Sequence, residues 1–442
     1  MISRSTQKLI HGDFICKQQG AALIMFAVLL LLSTTAVFFT YFDSTQYGVE
    51  RDKRTFTALN EAKAALIGWS VAHPEYPGIL PFPDRSNDGD YNGVSDCVNP
   101  AITPLNYSHL LGKLPFNNQA NPCVGSSLGL AVNLTDGSGE KLWYAVSRNL
   151  IRTSVAGPLV INPSIIEAPI YPWIIVRNKS GDIVSDRVAA VIFSPGPAVE
   201  GQNRDGGLAG PAAYLDSLTI AGTSYSNASY TVPDEDFIMG EDMKNVPATH
   251  PTYQQPYKFN DKLVYITIDE LMDSLEKRAI REAAAGLRSY YSSSAAVPAS
   301  RYYPYAAVLG DNNNLCVEGT LTGVLPIANA ASTCTHPNTG LLTLPLWFTE
   351  SRWQEYLYYA ISSDCSFATP GCISGGLTAG PQTNIHALLI SVGKILAGQT
   401  RPSNVTTNYL DSVENANEDS VFDAVGTPGT ENYNDQILIV AP

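Results

Sequence analysis

The sequence predicts an α+β protein in which a long N-terminal helix, transmembrane at its start, is followed by two duplicated helix-plus-antiparallel-sheet domains. Three observations predict it. An uncharged run over 21–42 is followed by apolar residues at helical spacing as far as His73. Beyond it, short β-rich runs alternate with Gly, Pro and Asn punctuation. Five blocks of this outer part also occur twice, in the same order. The expected division is a leader over 1–20, the helix over 21–73, a first head over 74–267 and a second over 268–442.

Composition bounds the function classes. The chain has 442 residues, long for one compact domain, and its 23 Tyr and 45% hydrophobic content exclude a disordered polymer. Lys+Arg 27 against Asp+Glu 41 leaves a net charge of −14, which argues against a nucleic-acid partner, since phosphate contacts need a basic face. Gly 34 and Pro 29 with only 15% charged residues favour loop-rich, β-containing structure over a helical bundle.

The helix is justified first. The run AALIMFAVLLLLSTTAVFFTYF, 22 residues from Ala21 to Phe42, at about 1.5 Å per residue would span a hydrocarbon layer about 30 Å thick. Arg4, Lys8 and Lys17 precede it against a single Asp13, so the C-terminal bulk is expected outside the inner membrane. A secretory signal peptide ending at Thr34-Thr35-Ala36 competes, although the apolar run continues through Val37-Phe38-Phe39. A plain uncleaved anchor also competes, but leaves Lys17-Gln18-Gln19-Gly20 without a purpose. Phe56, Leu59, Leu66 and Trp69 carry the helical spacing onward among charged residues, and Pro74 ends it. A continuous helix over 21–73 would be about 80 Å long.

A short basic leader ending in Gly20, with the apolar helix starting at Ala21, resembles the prepilin-type signal of type IV pilins and type II secretion pseudopilins. The resemblance implies a membrane peptidase that cuts after Gly20 and methylates Ala21. It also implies a retained helix that serves as anchor and then as filament core, with a sheet packed on its C-terminal half. Major subunits of that family carry Glu at the fifth mature position, and Met25 stands there. A subunit without that carboxylate cannot pair with a neighbour's N-terminal ammonium inside the core, so the resemblance implies a minor subunit that primes or caps the filament. The implied partners are the inner membrane, the prepilin peptidase, other pilins or pseudopilins and the assembly platform. The implied location is a single-pass inner-membrane protein with a periplasmic or cell-surface body.

The outer part is justified by its duplication. Lys141-Leu142-Trp143-Tyr144-Ala145-Val146-Ser147 has its counterpart in Glu355-Tyr356-Leu357-Tyr358-Tyr359-Ala360-Ile361-Ser362. The run 188–194 matches 385–391, and Gly201-Gln202-Asn203-Arg204 matches Gly398-Gln399-Thr400-Arg401. Tyr214-Leu215-Asp216-Ser217 matches Tyr409-Leu410-Asp411-Ser412, and 259–266 matches 433–440. Short strands are expected at 141–146, 172–177, 187–193 and 262–267. The second copy opens with a capping box, Thr267 to Glu270, ahead of a stripe formed by Leu271, Leu275, Ile280 and Leu287.

Cysteines bear on the compartment. Cys16 lies in the leader, and the other six fall by spacing into Cys97 with Cys123, Cys316 with Cys334 and Cys365 with Cys372. An even number beyond the helix suits an oxidising compartment and local disulfides, with six buried thiols as the alternative.

Candidate chemistry is sparse. Asp84, Ser86, Asp88, Asp90 and Asn92 alternate around a glycine turn, with Asp96 following, and suit one hard cation, calcium. Ser95 stands where a calcium loop carries its bidentate Glu, and such clusters are also ordinary turn chemistry. Gly125-Ser126-Ser127-Leu128-Gly129 matches the G-x-S-x-G pattern, but no strand leads in and no helix follows. The repeated Arg204 and Arg401 suit a structural role, bridging loop carbonyls or Asp216 and Asp411. The six histidines, His386 among them, show no ligand spacing. No catalytic constellation emerges. The expected function is therefore non-enzymatic: initiating or capping a type IV pilus or type II secretion pseudopilus. An anchored adhesin or binding module is the alternative, and an anchored hydrolase using Ser127 is weaker still.

Overall fold

The computed structural model describes residues 18–442 apart from 87–88, 118–121, 126–128, 131, 156–158, 206, 241–258, 329–333, 335–341, 428 and 431. Within the first helix, side chains are described at 25–31, at 33–34 and from 48 onward. Helix α1 (Gln18–Ala72) stops one residue short of the His73-Pro74 pair, where a helical backbone before proline is disfavoured. Its C-terminal part buries Leu59, Ala62 and Leu66 on one face. Helix α2 (Ile268–Ser294) starts under the Thr267 hydroxyl, which accepts the Glu270 amide at 3.2 Å. Its buried stripe runs Leu271, Leu275, Ala279, Ala283 and Leu287, one residue per turn.

Two sheets follow the same plan. The first contains β1 (Leu111–Lys113), β2 (Trp143–Val146), β3 (Ile174–Arg177), β4 (Ile183–Ser194), β5 (Asp236–Ile238) and β6 (Lys262–Thr267). Its antiparallel run is β1-β2-β4-β6, while β3 pairs with the start of β4 and β5 adds parallel to β3. The second contains β7 (Thr322–Val324), β8 (Leu357–Ile361), β9 (Ala387–Ser391) and β10 (Gln436–Ala441), antiparallel in that order. Register repeats with topology. Tyr144 faces Ile192 and Tyr359 faces Leu389, and their hydroxyls donate to the Pro81 and Pro304 carbonyls at 3.3 and 3.0 Å.

One continuous core joins these parts. It gathers Leu59 and Leu66 of α1, Leu275 and Leu287 of α2, Tyr144 and Ile192 of the first sheet, and Tyr359 and Leu389 of the second. A second cluster covers the far side of the second sheet, where Tyr358 and Ile390 meet Tyr409 and Phe422. Arg278 of α2 donates to the Val71 and His73 carbonyls, pinning the end of α1. Cys97–Cys123, Cys316–Cys334 and Cys365–Cys372 are disulfides that tie the loops.

The first strand of each sheet lies against a neighbouring backbone. A Cβ on Gly323 would stand 2.0 Å from the Ala307 carbonyl oxygen, and one on Gly112 2.5 Å from that of Asp84. Gly323→Ala is expected to destabilise the fold by about 1–3 kcal/mol in urea unfolding, because the obstacle is backbone. An unchanged midpoint would contradict this close approach.

The membrane expectations are corrected. Among the described residues no helix is long and apolar enough to cross a membrane. The expected transmembrane, pilin-like N-terminal helix is overturned on that finding, and with it the single-pass inner-membrane location. That finding is made of the described side chains, which in the apolar part of α1 are those at 25–31 and 33–34. The α+β class stands, since strands outnumber the two long helices and are mostly antiparallel.

Candidate functional site

The most elaborate polar construction in the molecule is built twice. In the first half the Arg204 guanidinium donates to the carbonyls of Ala213 (3.1 Å) and Gly196 (2.8 Å) and to Gln202 Oε1 (2.6 Å). Gln202 passes its amide to Asp216 Oδ1 at 2.7 Å, and Asp216 Oδ2 accepts the Asn260 amide at 2.7 Å. The Asp216 amide and the Asn227 side chain both donate to Asp261 Oδ2, at 2.8 and 3.0 Å. In the second half Arg401 donates to Asn408 and Gly393 at 2.8 Å each, and to Gln399 at 3.0 Å. Gln399 then reaches Asp411 at 2.8 Å, while the Asp411 amide and Asn415 converge on Asp435 Oδ2 at 3.0 and 2.8 Å.

Each network contains two carboxyls held away from water. Asp261 is pushed well above the usual range, by burial first and then by the negative Asp216 beside it. Asp435 is raised by burial and by Asp411 in the same way. Among the described residues, Asp261 Oδ1 and Asp435 Oδ1 are buried without hydrogen-bond partners. Burial also raises Asp216 and Asp411, so each pair holds protons jointly. All four carboxyls are spent on loop backbone and amide side chains, which lets the network join the strand ends to the crossing loops.

Sequence reading named Arg204, Arg401, Asp216 and Asp411 and missed Asn227 and Asn415, whose repeated signal is the Asn-Ala dipeptide alone. It also missed Glu276. This α2 residue is 5% exposed, and its Oε2 accepts the Ser391 hydroxyl at 3.1 Å and the Gln436 amide at 3.5 Å. Burial, aided by Asp273, outweighs the Ser391 hydrogen bond and pushes its carboxyl up to about 8. Glu276 walls a cavity of about 650 Å³ together with Asp273, Lys277, Lys394 and the stretch leading into β10. Ser194, the counterpart of Ser391, instead gives its hydroxyl to Asp136 at 2.7 Å.

The residues proposed for calcium are placed as follows. Asp84 is buried and accepts the Gly93 amide at 2.8 Å, and its backbone bridges Lys113. The Asp96 carboxylate accepts the Arg85 amide and lies 4.0 Å from Arg85 Nε. Asn92 turns back on the Val94 amide, Ser86 bonds Tyr91, Asp90 is exposed, and Asp88 lies outside the described residues. Among the described residues, the one grouping of three side chains close enough to share a metal is Cys365, Cys372 and His386. The two sulfurs are bonded to each other, which leaves the imidazole as the single available donor. Ser126, Ser127 and Leu128 lie outside the described residues, as do Gly20 and Ala21 in their side chains. His73 is structural: its Nδ1 accepts the Tyr76 amide at 3.0 Å and its Nε2 donates to the Val124 carbonyl at 2.8 Å. Burial lowers its pKa, which keeps the ring neutral in that tautomer.

No family model matches the chain, no curated protein matches it in sequence, and no solved structure matches it.

Proposed function

We propose that this chain is a non-enzymatic assembly subunit that initiates or caps a filament of the kind formed by type IV pili and type II secretion pseudopili. The observation that carries this reading is the bare start of α1. Its large apolar side chains from Met25 to Leu31 are 50% to 71% exposed, at successive positions that point to every side of the helix. A helix apolar all round is stable when other surfaces cover it. Helices of neighbouring subunits would supply that cover, and cleavage between Gly20 and Ala21 would free the end for packing. The duplicated body, stiffened by its paired Arg–Gln–Asp networks, suits a tip position where no subunit stacks above it.

Leu29→Glu combined with Leu31→Glu tests the reading. The double variant is expected to keep the wild-type urea midpoint, because neither side chain touches the core, and to lose co-purification with filament subunits. A variant that still enters filaments at the wild-type level would refute the assembly role. Mass spectrometry of the mature chain is expected to find a methylated N-terminus at Ala21.

A further inference from the structure

Each half carries a short 3-10 turn directly after a core strand, Arg148–Leu150 after β2 and Ser363–Cys365 after β8. The same two backbone bonds hold both turns. Ser147 donates its amide to the Ala189 carbonyl at 2.8 Å, and Ser362 to that of His386 at 2.9 Å. Leu150 and Cys365 reach back to the Ser147 and Ser362 carbonyls at 3.1 and 3.0 Å. The scaffold is common, and the side chains on it differ. Leu150 and Ala189, both fully buried, give way to Cys365 and His386 in the second half. Cys372 joins these two from a surface loop, its amide donating to the Asp364 carbonyl at 3.0 Å. The two sulfurs and one imidazole nitrogen all lie within 4.8 Å of one another. His386 Nδ1 has no hydrogen-bond partner among the described residues. The disulfide has no need of an imidazole, and the turn folds in the first half with neither group.

We propose that Cys365, Cys372 and His386 bind one zinc ion when the disulfide between the two cysteines is reduced. A dithiol supplies two electrons and two protons. The Cys365–Cys372 bond breaks, two thiols form, and the dithiol leaves as its own disulfide. Zinc then displaces the two thiol protons and takes both thiolates and the imidazole, with water in the fourth position. A tetrahedral zinc ion sets such donors about 3.5–3.8 Å apart, a spacing the cluster reaches by parting the sulfurs. The backbone bonds at Ser362 and Asp364 do not depend on the disulfide, so they keep the three donors together after it opens. Thiolate and imidazole select zinc over hard cations, which take oxygen. Cys372 and His386 are half-buried and the next residue, Ile373, is 86% exposed, so the ion enters from the Cys372 side. The site is independent of the assembly role, because it concerns the isolated subunit.

The test uses the full chain in detergent, either oxidised or reduced with a dithiol that is then removed anaerobically. Cobalt(II) is the probe, since thiolate-to-cobalt charge-transfer and tetrahedral d–d bands report its ligands, and zinc competition gives the zinc affinity. The reduced chain is expected to show these bands and the oxidised chain to lack them. His386→Ala places the residue of the first half at this position. It is expected to leave the urea midpoint of the oxidised chain unchanged and to weaken zinc at least about tenfold, the least that loss of an outer-shell partner costs. Cys365→Ser combined with Cys372→Ser is expected to remove the tetrahedral bands. Reduced wild type without bands, equal bands in the double serine variant, or unchanged zinc affinity in His386→Ala would each overturn the proposal.

Discussion

Replacing Arg401 by alanine is expected to cost about 3–5 kcal/mol of stability. The reason lies in what the guanidinium holds. It satisfies the carbonyls of Gly393, Val392 and Asn408 and orients Gln399, which in turn holds Asp411. Without it these acceptors remain in the fold unpaired, and the Asp411–Asp435 pair loses its nearest positive charge. Lysine is not expected to rescue more than a fraction, because one ammonium cannot reproduce a planar fork that serves four acceptors. Urea unfolding of Arg401→Ala and Arg401→Lys measures both effects. A loss below about 1 kcal/mol in the alanine variant would show that water replaces the guanidinium.

Glu276→Gln is expected to stabilise the protein, and to do so more strongly at pH 8 than at pH 5. The folded carboxyl titrates near 8, above the value of an exposed glutamate, so the folded state holds its proton longer than the unfolded chain does. Stability contributed by the protonated carboxyl is complete below the unfolded pKa and drains away as the pH rises through the folded one. Glutamine stays neutral throughout and escapes that loss, worth about 2–4 kcal/mol at pH 8 and little at pH 5. The raised carboxyls of Asp261 and Asp435 tilt the wild-type profile the same way. Asp364 opposes them. Burial disfavours its charge, but the Ser362 hydroxyl and the amides of Ser374, Gly375 and Ile373 outweigh burial and hold it at about 2. Its contribution is present above the ordinary carboxylate range and is lost as the pH falls toward 2. Parallel stability–pH curves for wild type and Glu276→Gln would rule out the buried-proton account.

The parts of this arrangement that were legible in the sequence are those written as side-chain pattern. Alternating apolar blocks placed β2, β4, β6 and their counterparts, and the repeated Gly-Gln-x-Arg pointed to both guanidinium networks. Asn227 and Asn415 were illegible because their role comes from a backbone path: each accepts one amide, from Ile238 and Asp423, and donates to a distant Asp. Glu276 sits between Leu275 and Lys277 and reads as a surface charge on α2, since periodicity does not reveal which sheet will close over that face. A crevice beside β2 could not be read either, since Trp143 of β2 and Tyr230 of a loop come to it from elements far apart in the chain.

The continuous interior has a consequence for how freely the two halves can differ. Halves with separate centres could each change shape without the other. Here α2 belongs to both centres at once, so a change of shape at Leu275 or Leu287 is felt by both sheets. The differences between the halves lie outward of it, at a crevice bordered by Trp143 in the first and a chamber walled by Glu276 in the second. The protein behaves as one keel with two dissimilar hulls.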